Sequence, residues 1–65
     1  MCEANAYLVT EDGQEELLLE AVDKLNVEGE TIRLVNIFGR QEIVRARIKA
    51  LALVDHRIVL EKVHD

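Results

Sequence analysis

The sequence predicts an all-β fold, and three observations support that prediction. The chain has 65 residues, 49% of them apolar and 32% charged, which is enough for one domain spanning residues 1–65 and too little for two. Turn-forming residues recur at intervals of about ten residues. Between these turns, apolar and polar residues alternate with the period of two that is typical of strands. We therefore expect a small SH3-like antiparallel barrel of five or six strands.

Four predicted turns separate the strands. Asp12-Gly13 is a strong hairpin signal, because both residues tolerate positive φ. The other two glycines also lie in turn contexts, and a fourth turn is plausible without glycine. These three turns are centred on Glu28-Gly29-Glu30, Phe38-Gly39-Arg40 and Val54-Asp55-His56-Arg57.

Alternation is clearest in the two segments on either side of Gly39. Ile32, Leu34 and Asn36 alternate with residues 33, 35 and 37, and a similar pattern runs over residues 43–48. Both segments are rich in β-branched residues, which favour strands. We predict that each segment forms one strand with one face toward the core.

Residues 15–25 carry conflicting signals. Leu18, Ala21, Val22 and Leu25 have the spacing of an amphipathic helix. The Asp12-Gly13 hairpin instead requires a strand directly after the turn, and residues 17–19 could form it by pairing with residues 6–10. We predict a strand here, with a turn or bend between residues 20 and 23.

Charge is distributed unevenly along the chain, which has a net charge of −5. Residues 1–30 contain nine acids and one base, Lys24, whereas residues 31–65 contain seven bases and four acids. The two halves of so short a chain must pack together. We therefore expect acidic and basic strands to lie next to one another.

A basic face that binds a partner is the alternative interpretation of this asymmetry. Arg45, Arg47 and Lys49 are spaced by two and would lie on one face of a strand, as in small β-barrels that follow RNA phosphates. Against nucleic acid binding, only Tyr7 and Phe38 could stack on bases, and the net charge repels a polyanion.

The sequence offers little for catalysis, and we expect no enzymatic role. It contains no serine, so a Ser-His-Asp triad is impossible, and it has no glycine-rich phosphate loop. No apolar run approaches the roughly 20 residues that cross a membrane, and the N-terminal residues do not show a basic stretch followed by an apolar one. The single cysteine cannot form an internal disulfide. These features predict a cytoplasmic protein without a membrane segment.

Cys2 is the strongest candidate for chemistry. Removal of Met1 would leave Cys2 with a free amine beside its thiol, and this pair suits a metal that prefers tetragonal nitrogen and sulfur ligands, such as Ni(II) or Cu(II). One chain supplies half of such a site, and a two-fold dimer supplies both halves. A small core also gains stability from self-association. The alternative is that Cys2 is a buried apolar residue at the start of the first strand.

The two histidines are weaker candidates. His64 could add an imidazole ligand if the chain ends meet near a dimer axis, but a histidine so close to a terminus is more often solvated. His56 lies in a predicted turn, where a solvated side chain is the simpler interpretation.

The chain begins with Met1-Cys2 and then a short strand rich in alanine, tyrosine and leucine, and further characteristic segments occupy residues 29–34, 37–39, 48–51 and 54–61. Together these features resemble the CooT family, small nickel-binding accessory proteins of carbon monoxide dehydrogenase maturation. The resemblance covers essentially the whole chain. Met1-Cys2 is its most specific element.

The resemblance implies an SH3-like barrel that forms a homodimer and binds one Ni(II) between its subunits through Cys2. From the residues themselves we predict the backbone nitrogen of Glu3 as a further ligand. His64, in which this chain departs from a minimal family member, is a weaker candidate. The implied function is nickel delivery, with carbon monoxide dehydrogenase or a maturation factor as the partner. Family members have also been described as predicted RNA-binding proteins, so the Arg45, Arg47 and Lys49 face remains the alternative.

Overall fold

The computed structural model describes residues 3–63, which form five strands and no helix. No helix in this range could therefore span a membrane. The strands close into a barrel in sequence order, which confirms the predicted fold with five strands rather than six. They are β1 (Ala4–Val9), β2 (Glu15–Glu28), β3 (Thr31–Asn36), β4 (Gln41–Ala52) and β5 (Arg57–Lys62).

Closure of the barrel gives one parallel strand pair. Each strand is antiparallel to the next along the chain, whereas β1 and β5 pair in parallel. An up-and-down chain with an odd number of strands has its first and last strands running in the same direction. The predicted antiparallel barrel therefore closes through one parallel contact.

The segment with conflicting signals is a strand, as predicted. Residues 15–22 of β2 pair with β1, and residues 22–28 pair with β3. Val22 lies opposite both Ala4 and Asn36, so β2 changes partners at this residue. Ala21 adopts a φ of 56°, which confirms the predicted bend. Irregularities in the ladder on both sides of Ala21 let β2 curve around the small barrel.

The barrel interior is filled by apolar side chains from all five strands. Ile32 and Leu34 of β3 and Leu60 of β5 have no exposed surface. Asn36 is also buried, which confirms the alternation predicted for β3. Since a barrel of this size is packed with its own side chains, binding sites lie on its surface. The other members of the buried core are Ala6, Leu19, Val22 and Ala46.

Ion pairs connect the acidic and basic halves of the chain. Arg45 lies 3.7 Å from Glu30, and Arg57 pairs with Glu15 while its guanidinium lies 4.6 Å from the centre of the Tyr7 ring. The expectation that acidic and basic strands are neighbours is confirmed. These side chains are all partly exposed to solvent, so each pair adds at most about 1 kcal/mol to stability.

Candidate functional site

The predicted metal ligands lie at the two ends of the chain. Cys2 and His64 are outside the described residues, and Glu3 is exposed and immediately precedes β1. Two peptide links join Cys2 to Ala4, so the Cα atoms of these residues are at most about 7.6 Å apart. The surroundings of Ala4 therefore define the neighbourhood of the predicted site.

Ala4 lines an apolar groove with a volume of about 490 Å³. Leu25 of this groove comes from the part of β2 that pairs with β3, whereas Ile48 and Leu51 come from the part of β4 that pairs with β5. The groove thus lies between two strand segments that do not pair with each other. Its remaining lining residues are Ala52, Leu53, His56, Arg57 and Ile58.

The groove exposes large apolar side chains. Leu51 is 52% exposed, and Leu53, in the turn between β4 and β5, is 75% exposed. Val54 in the same turn is also strongly exposed. Soluble monomers rarely expose a contiguous apolar patch of substantial area, and such patches commonly mark contact surfaces. The start of β1 therefore lies beside a surface suited to protein contact.

Asn5 fixes the start of β1 through hydrogen bonds on two sides. The Asn5 N–H donates to the carbonyl oxygen of His56 at 2.9 Å. The Ala21 N–H donates to the side-chain oxygen of Asn5 at 3.1 Å. The turn before β5 and the bend in β2 thus hold the chain where it leaves the predicted ligands and enters the barrel.

Both residues that bond Asn5 have left-handed backbone conformations. Ala21 has a φ of 56° and His56 a φ of 55°, and they are the two non-glycine residues with positive φ in the described range. Such a conformation costs roughly 1–2 kcal/mol for an ordinary L-residue. Strained backbone clusters at functional sites. The strained backbone around Asn5 therefore makes this end of the barrel a candidate functional region.

His56 lies in the turn between β4 and β5, as predicted, and its side chain is exposed. It also lines the apolar groove together with Ala4. In residues 3–63 no group of three or more histidine, cysteine, aspartate or glutamate side chains could hold a metal ion. A metal site here therefore needs donors from outside this range or from another chain.

The predicted basic face is not a continuous stripe. Arg47 Nε lies 3.2 Å from a Glu61 carboxylate oxygen, and Arg45 faces Glu30. Lys49 is the extra residue of a β-bulge, since Ile48 is opposite Leu60 and Ala50 is opposite Val59. The bulge interrupts the alternation that would place Lys49 with the arginines. Carboxylates beside two of the three cations disfavour binding of phosphates.

The sequence interpretation identified neither Asn5 nor the groove. An asparagine early in a strand is a weak signal in itself, because strands are depleted in asparagine without any functional cause. The groove joins residues that are far apart in the sequence and become neighbours only when the barrel closes. For the groove, the apolar pair Leu53 and Val54 in a turn was a hint in the sequence of an exposed apolar surface.

The family model described as CO dehydrogenase accessory protein CooT matches residues 1–61. A crystal structure of a proposed CooT from Carboxydothermus hydrogenoformans is 52% identical, with a TM-score of 0.87. The similarity covers 97% of this chain and all of that chain. An uncharacterised protein from Archaeoglobus fulgidus is 40% identical over 43 residues, which are 66% of this chain and 96% of that protein.

Proposed function

This chain belongs to the CooT family of CO dehydrogenase accessory proteins, and we propose that it is a metallochaperone that binds Ni(II) and delivers it during maturation of that enzyme. The observation that supports this function is the start of β1, which two hydrogen bonds to Asn5 hold beside an exposed apolar groove. We propose that this role is accessory to an enzyme and not itself catalytic.

In the proposed site, Ni(II) is the cargo and Cys2 supplies the principal ligand. The Cys2 thiolate, its amine and the backbone nitrogen of Glu3 offer the nitrogen and sulfur donors that tetragonal Ni(II) accepts. Binding favours the deprotonated thiol, so the usual thiol pKa of about 8.5 does not prevent ligation at neutral pH. His64 is a further proposed donor from the opposite end of the chain.

A second copy of the chain completes the proposed site. In a two-fold dimer the same surface of each subunit is used, and the apolar groove is a suitable surface because Ala4 belongs to it. In this arrangement the exposed Leu53, which lines the groove, and Val54 in the same turn pack against the groove of the other copy. Covering this surface brings two N-termini together, and one Ni(II) then has a thiolate from each subunit.

The location of the site suits transfer of the ion. Glu3 is exposed and the chain has not yet entered the barrel at this point, so an acceptor can reach the metal without unfolding the domain. Ligand exchange from the Cys2 thiolates to donors of the acceptor then releases Ni(II). A closed structural site of four buried ligands would oppose such release.

Titration of Ni(II) into untagged protein tests this function. We expect saturation at one Ni(II) per two chains, together with an absorption band from thiolate ligation. A chain that binds no Ni(II), or binds it without that band, contradicts the proposal. Untagged protein is required, because a histidine-rich affinity tag would itself bind nickel.

Replacing Asn5 with alanine should weaken Ni(II) binding about fivefold. The variant loses the hydrogen bond from the Ala21 N–H, a contact worth on the order of 1 kcal/mol, and the chain before β1 is held less firmly. The measurement is the Ni(II) dissociation constant together with the intensity of the thiolate band. Asn5→Asp retains an acceptor oxygen and should restore both.

Asn26→Ala is the matched control for this experiment. Asn26 is an exposed asparagine of β2, far along the strand from the bend. We expect its replacement to leave the dissociation constant within about twofold. Equal Ni(II) binding by Asn5→Ala and Asn26→Ala would show that the Asn5 side chain does not orient the site.

A further inference from the structure

The geometry points to the turn between β3 and β4, centred on Phe38, as the surface that contacts the acceptor protein. We propose that the acceptor covers Phe38 with an apolar pocket whose rim carries arginine or lysine side chains. This inference rests on the proposed delivery function. It concerns a surface that is separate from the apolar groove, because Phe38 does not line that groove.

Phe38 is the single phenylalanine of the chain, and 76% of its surface is exposed. The neighbouring Ile37 is also exposed. Aromatic side chains are enriched at protein interfaces, where burial of one large ring contributes much of the binding energy. An aromatic residue that the barrel leaves in solvent is therefore a candidate anchor for another protein.

The turn holds Phe38 in a fixed position. The buried side chain of Asn36 accepts hydrogen bonds at its Oδ1 from the Phe38 N–H at 3.0 Å and the Arg40 N–H at 2.8 Å. Gly39 donates from its N–H to the Asn36 carbonyl oxygen at 3.0 Å and has a φ of 86°. Because the turn is ordered by its own bonds, little entropy is lost when a partner binds it.

The turn also lies close to the proposed cargo site. The Ile37 N–H donates to the Ala21 carbonyl oxygen at 3.0 Å, and the Ala21 N–H donates to Asn5. Phe38 is thus connected through Ile37 and the bend in β2 to the start of β1. A protein that binds Phe38 would be placed next to the chain that precedes Ala4.

The charges near this turn identify the chemistry of the partner. Glu3, Glu20, Asp23 and Lys24 are exposed and have no ion-pair partner among the described residues. Arg40 is the cation of the turn, and it lies 3.6 Å from a Glu42 carboxylate oxygen. The acids outnumber the bases on this side, so a basic rim on the partner is complementary to it.

The test measures binding of purified CO dehydrogenase to the full chain, using Phe38→Ser and the control Ile43→Ser. Ile43 is 63% exposed on β4, does not line the apolar groove and lies outside the Phe38 turn. We expect at least tenfold weaker binding by Phe38→Ser, binding within about twofold by Ile43→Ser, and unchanged Ni(II) affinity for both. A Glu20→Lys variant and raised salt should each weaken binding as well.

Three outcomes would overturn the inference. Phe38→Ser could bind CO dehydrogenase as tightly as the unchanged chain, or it could alter the subunit number, which would make Phe38 a contact between copies. Absence of any CO dehydrogenase binding by the unchanged chain would also contradict the proposed role of the Phe38 turn. The Ni(II) titration would in that case still report on the proposed metal site independently.

Discussion

Replacing Cys2 with serine should abolish tight Ni(II) binding and leave the barrel folded. A hydroxyl is a poor ligand for Ni(II) where a thiolate is a good one, and the proposed dimer would lose both thiolates at once. Loss of a residue that merely orients a ligand costs 10–100-fold in metal affinity, so loss of the ligand itself should cost at least about 100-fold.

Two measurements separate a lost ligand from a damaged fold in Cys2→Ser. Thermal unfolding should change little, because the core among the described residues is built from side chains of β1 to β5. His64→Ala is the companion variant, and we expect it to keep the thiolate band and to bind Ni(II) more weakly. Stoichiometric binding by Cys2→Ser with unchanged affinity would contradict the proposed ligand.

Replacing Leu51 with glutamate should convert the proposed dimer into a monomer. Leu51 lies in the apolar groove and is half exposed, so the single chain can tolerate a charge there. In the proposed two-fold interface each subunit would bury one unpaired glutamate charge in an apolar contact, which costs several kcal/mol. The subunit number follows from native mass or sedimentation, and Ni(II) affinity should fall at least tenfold with it.

Ile43→Glu is the control for Leu51→Glu, since it adds the same charge to the same strand outside the groove. We expect this variant to remain a dimer and to bind Ni(II) normally. If Leu51→Glu also remains a dimer, the subunits meet through another surface. If it becomes a monomer and still binds Ni(II) tightly, one chain suffices for the site.

The fold could be predicted because its turns and strands are marked by short local sequence patterns. Glycines at residues 13, 29 and 39 all adopt positive φ in turns, and β3 alternates as its sequence indicates. Residues 15–25 show why a helical spacing can mislead, since the hairpin before them pairs residues 15–22 with β1 regardless of their helix propensity. The bulge at Lys49 was not predictable, because no glycine or proline marks it.

Of the candidate site, only the proposed ligands near the N-terminus could be predicted from the sequence. Cys2 and Glu3 are recognisable from their position in the chain and from the family resemblance. The groove beside Ala4, the bonds that hold Asn5 and the exposed Phe38 turn depend on closure of the barrel. Asn36 illustrates the limit of prediction from sequence. The alternation of β3 predicted that Asn36 is buried, but it gave no indication that the Asn36 side chain orders the next turn.

Native mass measurement during a Ni(II) titration tests the central claim most directly, because it reports subunit number and bound metal in the same spectrum. We predict one species of two chains with one Ni(II), whose formation parallels the thiolate absorption band and is absent in Cys2→Ser. Single chains that each bind one Ni(II), or dimers that take up Ni(II) with no dependence on Cys2, would contradict the account.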